Sequence, residues 1–292
     1  MLVLAPGKLF LAGEYAVLGG GPAIVAAVNR GVSCRVEMGE GVETPTGDDR
    51  FVAAALTAVR APPRRYRFAD WNPTDLPGKP GFGGSAAATV AACVAGRVAA
   101  GLPFDDVEHI AVATHRAVQG SGSGLDVRAS SRGDVRRYAP DAVPAKIPAP
   151  PLLAVYSGRS ASTASRVGIY RAWVRADPAE AAAFARDSRD IVDAFSEDPV
   201  AALLAAYARL RAMSALAGLD YDTPALARIA ALALAHGGAA KPSGAGGGDV
   251  AIAIIHDPEA RAAFAAACVA EGLPPIPIKV TSGVSVVTEY PT

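Results

Sequence analysis

Five prolines fall within a twelve-residue stretch, at Pro140, Pro144, Pro148, Pro150 and Pro151. Neither a helix interior nor a central strand tolerates such a run, because each proline fixes φ and removes an amide donor. The stretch therefore reads as a connection. It divides the 292 residues into two units of ordinary domain size, 1–148 and 149–292. Before it, β-type runs at 8–12, 23–28, 32–38 and 65–68 mix with helical patterns at 51–60, 85–100, 104–118 and 125–131. After it come a strand at 152–156 and helices within 162–176, 178–196, 199–218 and 223–236. A strand at 250–256, a helix at 258–271 and strands at 276–280 and 284–289 close the chain. Strands and helices intermix without strict βαβ alternation, which predicts an α+β fold.

Composition excludes several classes of function. Apolar residues make up 51% and charged residues 19%, as in a globular chain. Lys+Arg and Asp+Glu both number 28, so the protein lacks the basic surplus of a general nucleic-acid binder, although a local anion pocket remains open to it. Cys34, Cys93 and Cys268 lie far apart and form no metal-ligand spacing. Reduced, buried thiols in a cytoplasmic protein are expected. The N-terminal run is interrupted by Lys8 and Glu14 and lacks a basic n-region, so neither a signal peptide nor a membrane span is expected.

Alanine is abundant at 65 residues, and arginine outnumbers lysine 23 to five, a bias expected of GC-rich coding. Three of the five lysines (Lys8, Lys79 and Lys241) nevertheless fall in glycine-rich motifs.

Four such motifs stand out. In the first, Ala5-Pro6-Gly7-Lys8, a lone lysine opens an apolar strand, with Glu14 and Tyr15 beyond it. The bland reading is a charge that blunts a strand edge. In the second, Gly81-Phe82-Gly83-Gly84-Ser85-Ala86-Ala87 opens a helix. Glycines allow backbone N–H groups to approach an anion, and the helix start adds its own free N–H groups, so the segment suits a phosphate cradle. The alternative is a plain loop with Ser85 as helix cap. In the third, Gly120-Ser121-Gly122-Ser123-Gly124-Leu125-Asp126 delivers one carboxylate after a tight turn, either to meet an acceptor group or to cap a helix. The fourth, Lys241-Pro242-Ser243-Gly244-Ala245-Gly246, permits close backbone approach to a ligand.

Taken in order, these motifs resemble those of the GHMP kinase superfamily over residues 5 to about 256. Within it, the GEYAVL, GSGLDV and AKPSGAGGGD segments most resemble the phosphomevalonate kinases. The resemblance implies a two-domain α+β fold: an N-terminal domain like ribosomal protein S5 domain 2, a ferredoxin-like C-terminal domain, and an active site between them. It implies ATP and Mg2+ as co-substrate and cofactor and phosphomevalonate as the small-molecule partner. Neither nucleic acid nor membrane is implied, and the assembly would be a monomer or homodimer.

Carried over by position, Gly81, Gly83, Gly84, Ser85, Ala86 and Ala87 would bind ATP, with Ser85 also on the metal. Lys8 and Asp126 would be catalytic. Lys8, Glu14, Tyr15, Ser121, Ser123, Ser243, Gly244, Ala245 and Gly246 would face the acceptor. Lys79, Arg30 and Arg128 are candidates for its phosphate. Two positions depart from the family pattern: Gly84 replaces a serine, and His115 stands where mevalonate kinases carry a metal-ligand glutamate. Other kinases of small alcohols, a diphosphomevalonate decarboxylase and a non-catalytic nucleotide- or ligand-binding regulator are the competing readings.

Overall fold

A computed structural model describes residues 1–76, 80–120, 122–161 and 163–287. The chain begins with two long antiparallel strands, β1 (Leu2–Ala12) and β2 (Ala23–Glu37), joined through a 3₁₀ turn at Ala16–Gly19. β3 (Gly41–Glu43), α1 (Arg50–Ala58) and β4 (Arg65–Trp71) follow. Next come α2 (Gly84–Ala99), α3 (Val107–Gln119), α4 (Leu125–Arg132), β5 (Val135–Tyr138) and β6 (Ala145–Lys146). β2 spans both expected strands as one, because Asn29, Arg30 and Gly31 continue the extended chain rather than turning it. Alanine-rich α2 presents Val90, Cys93 and Val94 to Val3, Ala5, Val32 and Phe68 of the sheet beneath.

The second half starts with β7 (Leu152–Tyr156) and continues through α5 (Thr163–Ala176), α6 (Pro178–Ala194), α7 (Pro199–Ala217) and α8 (Pro224–Ala235). β8 (Ala239–Pro242), β9 (Val250–Ile254), α9 (Pro258–Ala270) and β10 (Pro275–Ile276) complete a four-stranded antiparallel sheet ordered β10-β7-β9-β8. Four of these helices start in the same way. Asp177, Asp198, Thr223 and Asp257 accept backbone N–H groups of the first turn, with proline at the next position.

The last strand, β11 (Ser285–Val287), pairs with β1 in the first sheet. The segment leading to it bridges Val280 to Val28 and Ser282 to Gly133. Residues 280–287, expected within the second unit, thus lie on the first sheet. The first sheet, seven-stranded, is ordered β11-β1-β2-β4-β3, with β5 on β2 and β6 on β5.

The two sheets share a core. Leu9, Leu11, Ile24 and Ala26 pack in one cluster with Tyr156, Ile252, Ile254, Phe195 and Leu203. α7 is the one described helix long and apolar enough to cross a membrane, but Leu203, Tyr207, Leu210 and Met213 along it are buried within the protein. Cys34, Cys93 and Cys268 are buried free thiols, and burial pushes the first two up to about 12 and Cys268 to about 11.

Candidate active site

Lys8 is the centre of the site. β1 bulges just before it, between Ala5 and Gly7. There β1 and β2 approach so closely that a Cβ on Gly7 would stand 1.9 Å from the Arg30 carbonyl oxygen. Only glycine fits, and the bulge re-aims the strand. The Lys8 N–H donates to the Phe82 carbonyl at 2.8 Å, which ties the Gly81–Ser85 loop to the strand. The Lys8 side chain is 10% exposed, and its Nζ lies 3.5 Å from Asp126 Oδ2.

The loop at Gly81–Ser85 wraps over this lysine. Gly83 caps α2 in the left-handed region at φ 78°. A Cβ there would meet Lys8 Cε and Cγ at 3.1 Å, so loop and lysine are in van der Waals contact. Ser85 lies inside the helix and does not cap it. Its hydroxyl is 3.2 Å from His115 Nε2. The Ala86 and Ala87 N–H groups both donate to the Gly83 carbonyl at 3.1 Å, and both residues are buried, so these two, expected on ATP, are spent on the helix start. The Gly84 and Ser85 N–H groups remain at the positive end of the helix dipole. This bare glycine cradle at a helix start fits a polyphosphate. Around Gly84 there is open space, so the missing serine reflects no steric demand.

Asp126 lies in the first turn of α4, and Gly124 is the cap residue, so the aspartate is not spent on capping. Its side chain is 35% exposed and turned to Lys8. Ser123 accepts the Leu125 N–H at 3.3 Å and thereby supports this turn, while Ser121 lies outside the described residues.

His115 is buried and stacks on Phe51 at 5.0 Å between ring centroids. Burial lowers its pKa, and the Asp126 charge only partly opposes the shift. The neutral ring is therefore favoured. Among the described residues no group of three or more His, Cys, Asp or Glu side chains could hold a metal ion. Mg2+ usually keeps several waters and is held by one or two carboxylates plus substrate phosphates; the Ser85 hydroxyl, 3.2 Å from His115 Nε2, offers such an ion one neutral oxygen.

The fourth motif closes the site from the second sheet. Ser243 Oγ accepts the Phe10 N–H at 2.8 Å and donates to the Phe10 carbonyl at 3.3 Å. The Tyr15 hydroxyl donates to the Ala245 carbonyl at 2.7 Å. Burial pushes this phenol far above its usual range. Lys241 Nζ, fully buried, pairs with Glu14 Oε1, which also receives the Gly244 N–H at 3.4 Å. Burial lowers the Lys241 pKa against the pull of Glu14. Glu14, Tyr15 and Ser243, expected at the acceptor, thus spend these polar atoms bracing motif four against β1. A Cβ on Gly244 would stand 3.8 Å from Lys8 Nζ, so Gly244 borders the Lys8 ammonium.

Sequence reasoning missed Asp249, which follows the last glycine run. It accepts the Ala161 N–H at 3.0 Å, and its side chain lies against Gly81, where a Cβ would come within 2.5 Å. Burial raises its pKa, with the Ala161 bond and the charges of Lys8 and Arg166 opposing. Its positive φ of 59°, rare for a non-glycine residue, could not be foreseen from composition. In sequence Lys241 is only a lysine in a glycine-rich motif. The Arg30 guanidinium, a candidate for the acceptor phosphate, donates to the carbonyls of Asn72, Pro73 and Pro277. Arg128 is paired with Glu108 at 3.2 Å, and Lys79 lies outside the described residues.

The four motifs, separated by up to two hundred residues and more, therefore converge on one lysine. Family models match two segments that border it in the fold: the GHMP kinases N terminal domain over residues 72–134, which holds Gly83 and Asp126, and GHMP kinases C terminal over residues 193–273, which holds Gly244. The chain belongs to the GHMP kinase superfamily. It is a phosphotransferase of small molecules, with the α+β fold and two sheets of that group. It is similar to the phosphomevalonate kinase of Streptomyces sp. (strain CL190), 29% identical over 86% of this chain and 88% of that one. In fold it is similar to the Lin0012 protein from Listeria innocua, with a TM-score of 0.91 and 22% identity over 99% of each chain. It is also similar to the Streptococcus pneumoniae phosphomevalonate kinase in complex with phosphomevalonate and AMPPNP. There the TM-score is 0.79 and the identity 18%, over 96% of this chain and 100% of that one.

Proposed function

We propose that this kinase transfers the ATP γ-phosphoryl group to (R)-5-phosphomevalonate, giving 5-diphosphomevalonate and ADP. The carrying observation is the contact set of Lys8: Gly83 beneath it, Asp126 at 3.5 Å and Gly244 beside it. A cation there lies between a triphosphate held by the glycine cradle and an acceptor on the Asp126 side. The 29% identity to a phosphomevalonate kinase supports this acceptor over the alternatives.

Phosphoryl transfer depends mostly on positioning and on offsetting charge on the transferred oxygens. Gly81, Gly83, Gly84 and Ser85 would hold the triphosphate, and Mg2+ bound to its oxygens would neutralise part of its charge. Lys8 would stabilise the oxygens that pass from donor to acceptor. A phosphate monoester has a second pKa of about 6 and is mostly dianionic at neutral pH. Asp126 would therefore be less needed as a base than for an alcohol acceptor, and serves to hold the Lys8 ammonium on the transfer line.

ADP release in the presence of phosphomevalonate, mevalonate, homoserine and galactose, assayed side by side, tests the proposal. Turnover of phosphomevalonate alone supports it. Turnover of mevalonate or another alcohol without phosphomevalonate overturns it.

A further inference from the structure

Consecutive residues at the end of the fourth motif have positive φ: Gly246 at 72°, Gly247 at 74°, Gly248 at 156° and Asp249 at 59°. Glycine takes such angles freely, whereas a residue with a Cβ is less stable there. The chain nevertheless keeps a side chain at the last of these positions. Strain of this kind persists only where surrounding contacts hold it, and it concentrates at working sites.

The contacts of Asp249 are of two kinds. Its N–H donates to the Arg159 carbonyl at 2.7 Å, and its carbonyl accepts the Ser157 N–H at 2.9 Å. Glycine could form both of these. The carboxylate adds what glycine could not. Oδ1 accepts the Ala161 N–H at 3.0 Å, which fastens residues 157–161, between β7 and α5, to the start of β9. On its other side the carboxylate meets the first half of the chain: a Cβ on Gly81 would stand 2.6 Å from Oδ2. Phe82, the next residue, is tied to β1 by the Lys8 N–H and is buried in the core shared by the two sheets. The loop that opens α2 is thus held at adjacent points, Phe82 by β1 and Gly81 by Asp249.

We propose that Asp249 is a positioning residue for the nucleotide loop. Anchored on the Ala161 N–H, its carboxylate sets the place of Gly81 and couples that loop to the 157–161 segment of the second half. This rests on the reading of Gly81–Ser85 as a phosphate cradle and is independent of which acceptor is used.

The test needs no acceptor. Binding of the ATP analogue AMPPNP with Mg2+ is measured by calorimetry for wild type, Asp249→Gly and Asp249→Asn, beside thermal unfolding and hydrogen exchange. Asp249→Gly relieves strain and loses a hydrogen bond, effects that oppose each other in stability, so its unfolding midpoint should hardly move. Its Kd for the nucleotide should nevertheless rise about tenfold, because the loop is no longer held in place. The amides of residues 81–85 should exchange faster. Asp249→Asn keeps an oxygen for the Ala161 N–H and occupies the left-handed region readily, so it should restore both properties. Nucleotide should slow exchange at residues 157–161 in wild type, and Asp249→Gly should lose that protection. Unchanged affinity in Asp249→Gly, or an equal loss in Asp249→Asn, overturns the proposal and leaves the cradle reading intact. A wild-type protein that does not bind AMPPNP with Mg2+ overturns the cradle reading and this inference with it.

Discussion

Replacing Lys241 by methionine should be the most damaging single change to stability that leaves the shape of the core nearly unchanged. Lys241 is fully buried, and the side chain of its partner Glu14 is 2% exposed. Lys241 also donates to the Pro242 carbonyl at 3.0 Å, and Glu14 Oε2 has no hydrogen-bond partner. Lys241→Met thus leaves a carboxylate with only the distant Gly244 N–H at 3.4 Å for support. Breaking a buried pair in this way costs about 3–5 kcal/mol. At roughly 2 °C per kcal/mol for a chain of this size, the midpoint of thermal unfolding should fall by about 6–10 °C. Glu14→Gln should cost less, because the amide oxygen still accepts from Lys241 and the lysine, its pKa already lowered by burial, can shed its proton. The double variant Glu14→Gln/Lys241→Met should recover most of the loss, because replacing both charges removes the desolvation penalty with the attraction. Differential scanning of the four proteins closes the double-mutant cycle. Single variants within about 1 kcal/mol of wild type, or a double variant whose loss is the sum of the two, would refute the reasoning.

Lys8→Ala should lower kcat on the order of 100- to 1000-fold, with a smaller loss for Asp126→Asn; steady-state rates that rank the two the other way speak against a phosphate acceptor. Gly83→Ala puts a Cβ 3.1 Å from Lys8 at a φ of 78°, so turnover should drop more than the roughly 1–2 kcal/mol stability loss explains, whereas Gly84→Ser, in open space, should leave the melting curve unchanged. His115 has a lowered folded-state pKa, so the unfolded chain takes up a proton first. The His115 contribution to stability should be constant above about pH 6.5 and fall as pH drops below it toward the folded-state value. His115→Gln should flatten that part of the pH profile of thermal unfolding, and an equal slope in both proteins would contradict the assignment.

The helices of the second half were legible in the sequence because their starts are written locally. Asp177-Pro178, Asp198-Pro199, Thr223-Pro224 and Asp257-Pro258 each pair a cap with a proline in the first turn. Strand pairing was less legible. Nothing local announces that Ser285–Val287 returns to Leu2–Leu4, because that choice is made by the sheet edge it covers. Lys8, Asp126 and the glycine loop were visible as motifs, and their meeting follows from the fold. The bracing role of Glu14, Tyr15 and Ser243 was not visible, because their partners lie about 230 residues away. A buried glutamate facing a buried lysine reads, in sequence, like a polar residue available to substrate.

On the proposed reading the γ-phosphoryl group lands on a phosphate at the Lys8–Asp126 cleft. Phosphorus NMR of the wild-type protein incubated with ATP, Mg2+ and phosphomevalonate tests it most directly. Loss of the monoester resonance and growth of two coupled diphosphate resonances matching the ADP formed are expected, with Lys8→Ala silent on the same timescale. An unchanged monoester under conditions where mevalonate or another alcohol acquires a phosphate would contradict it.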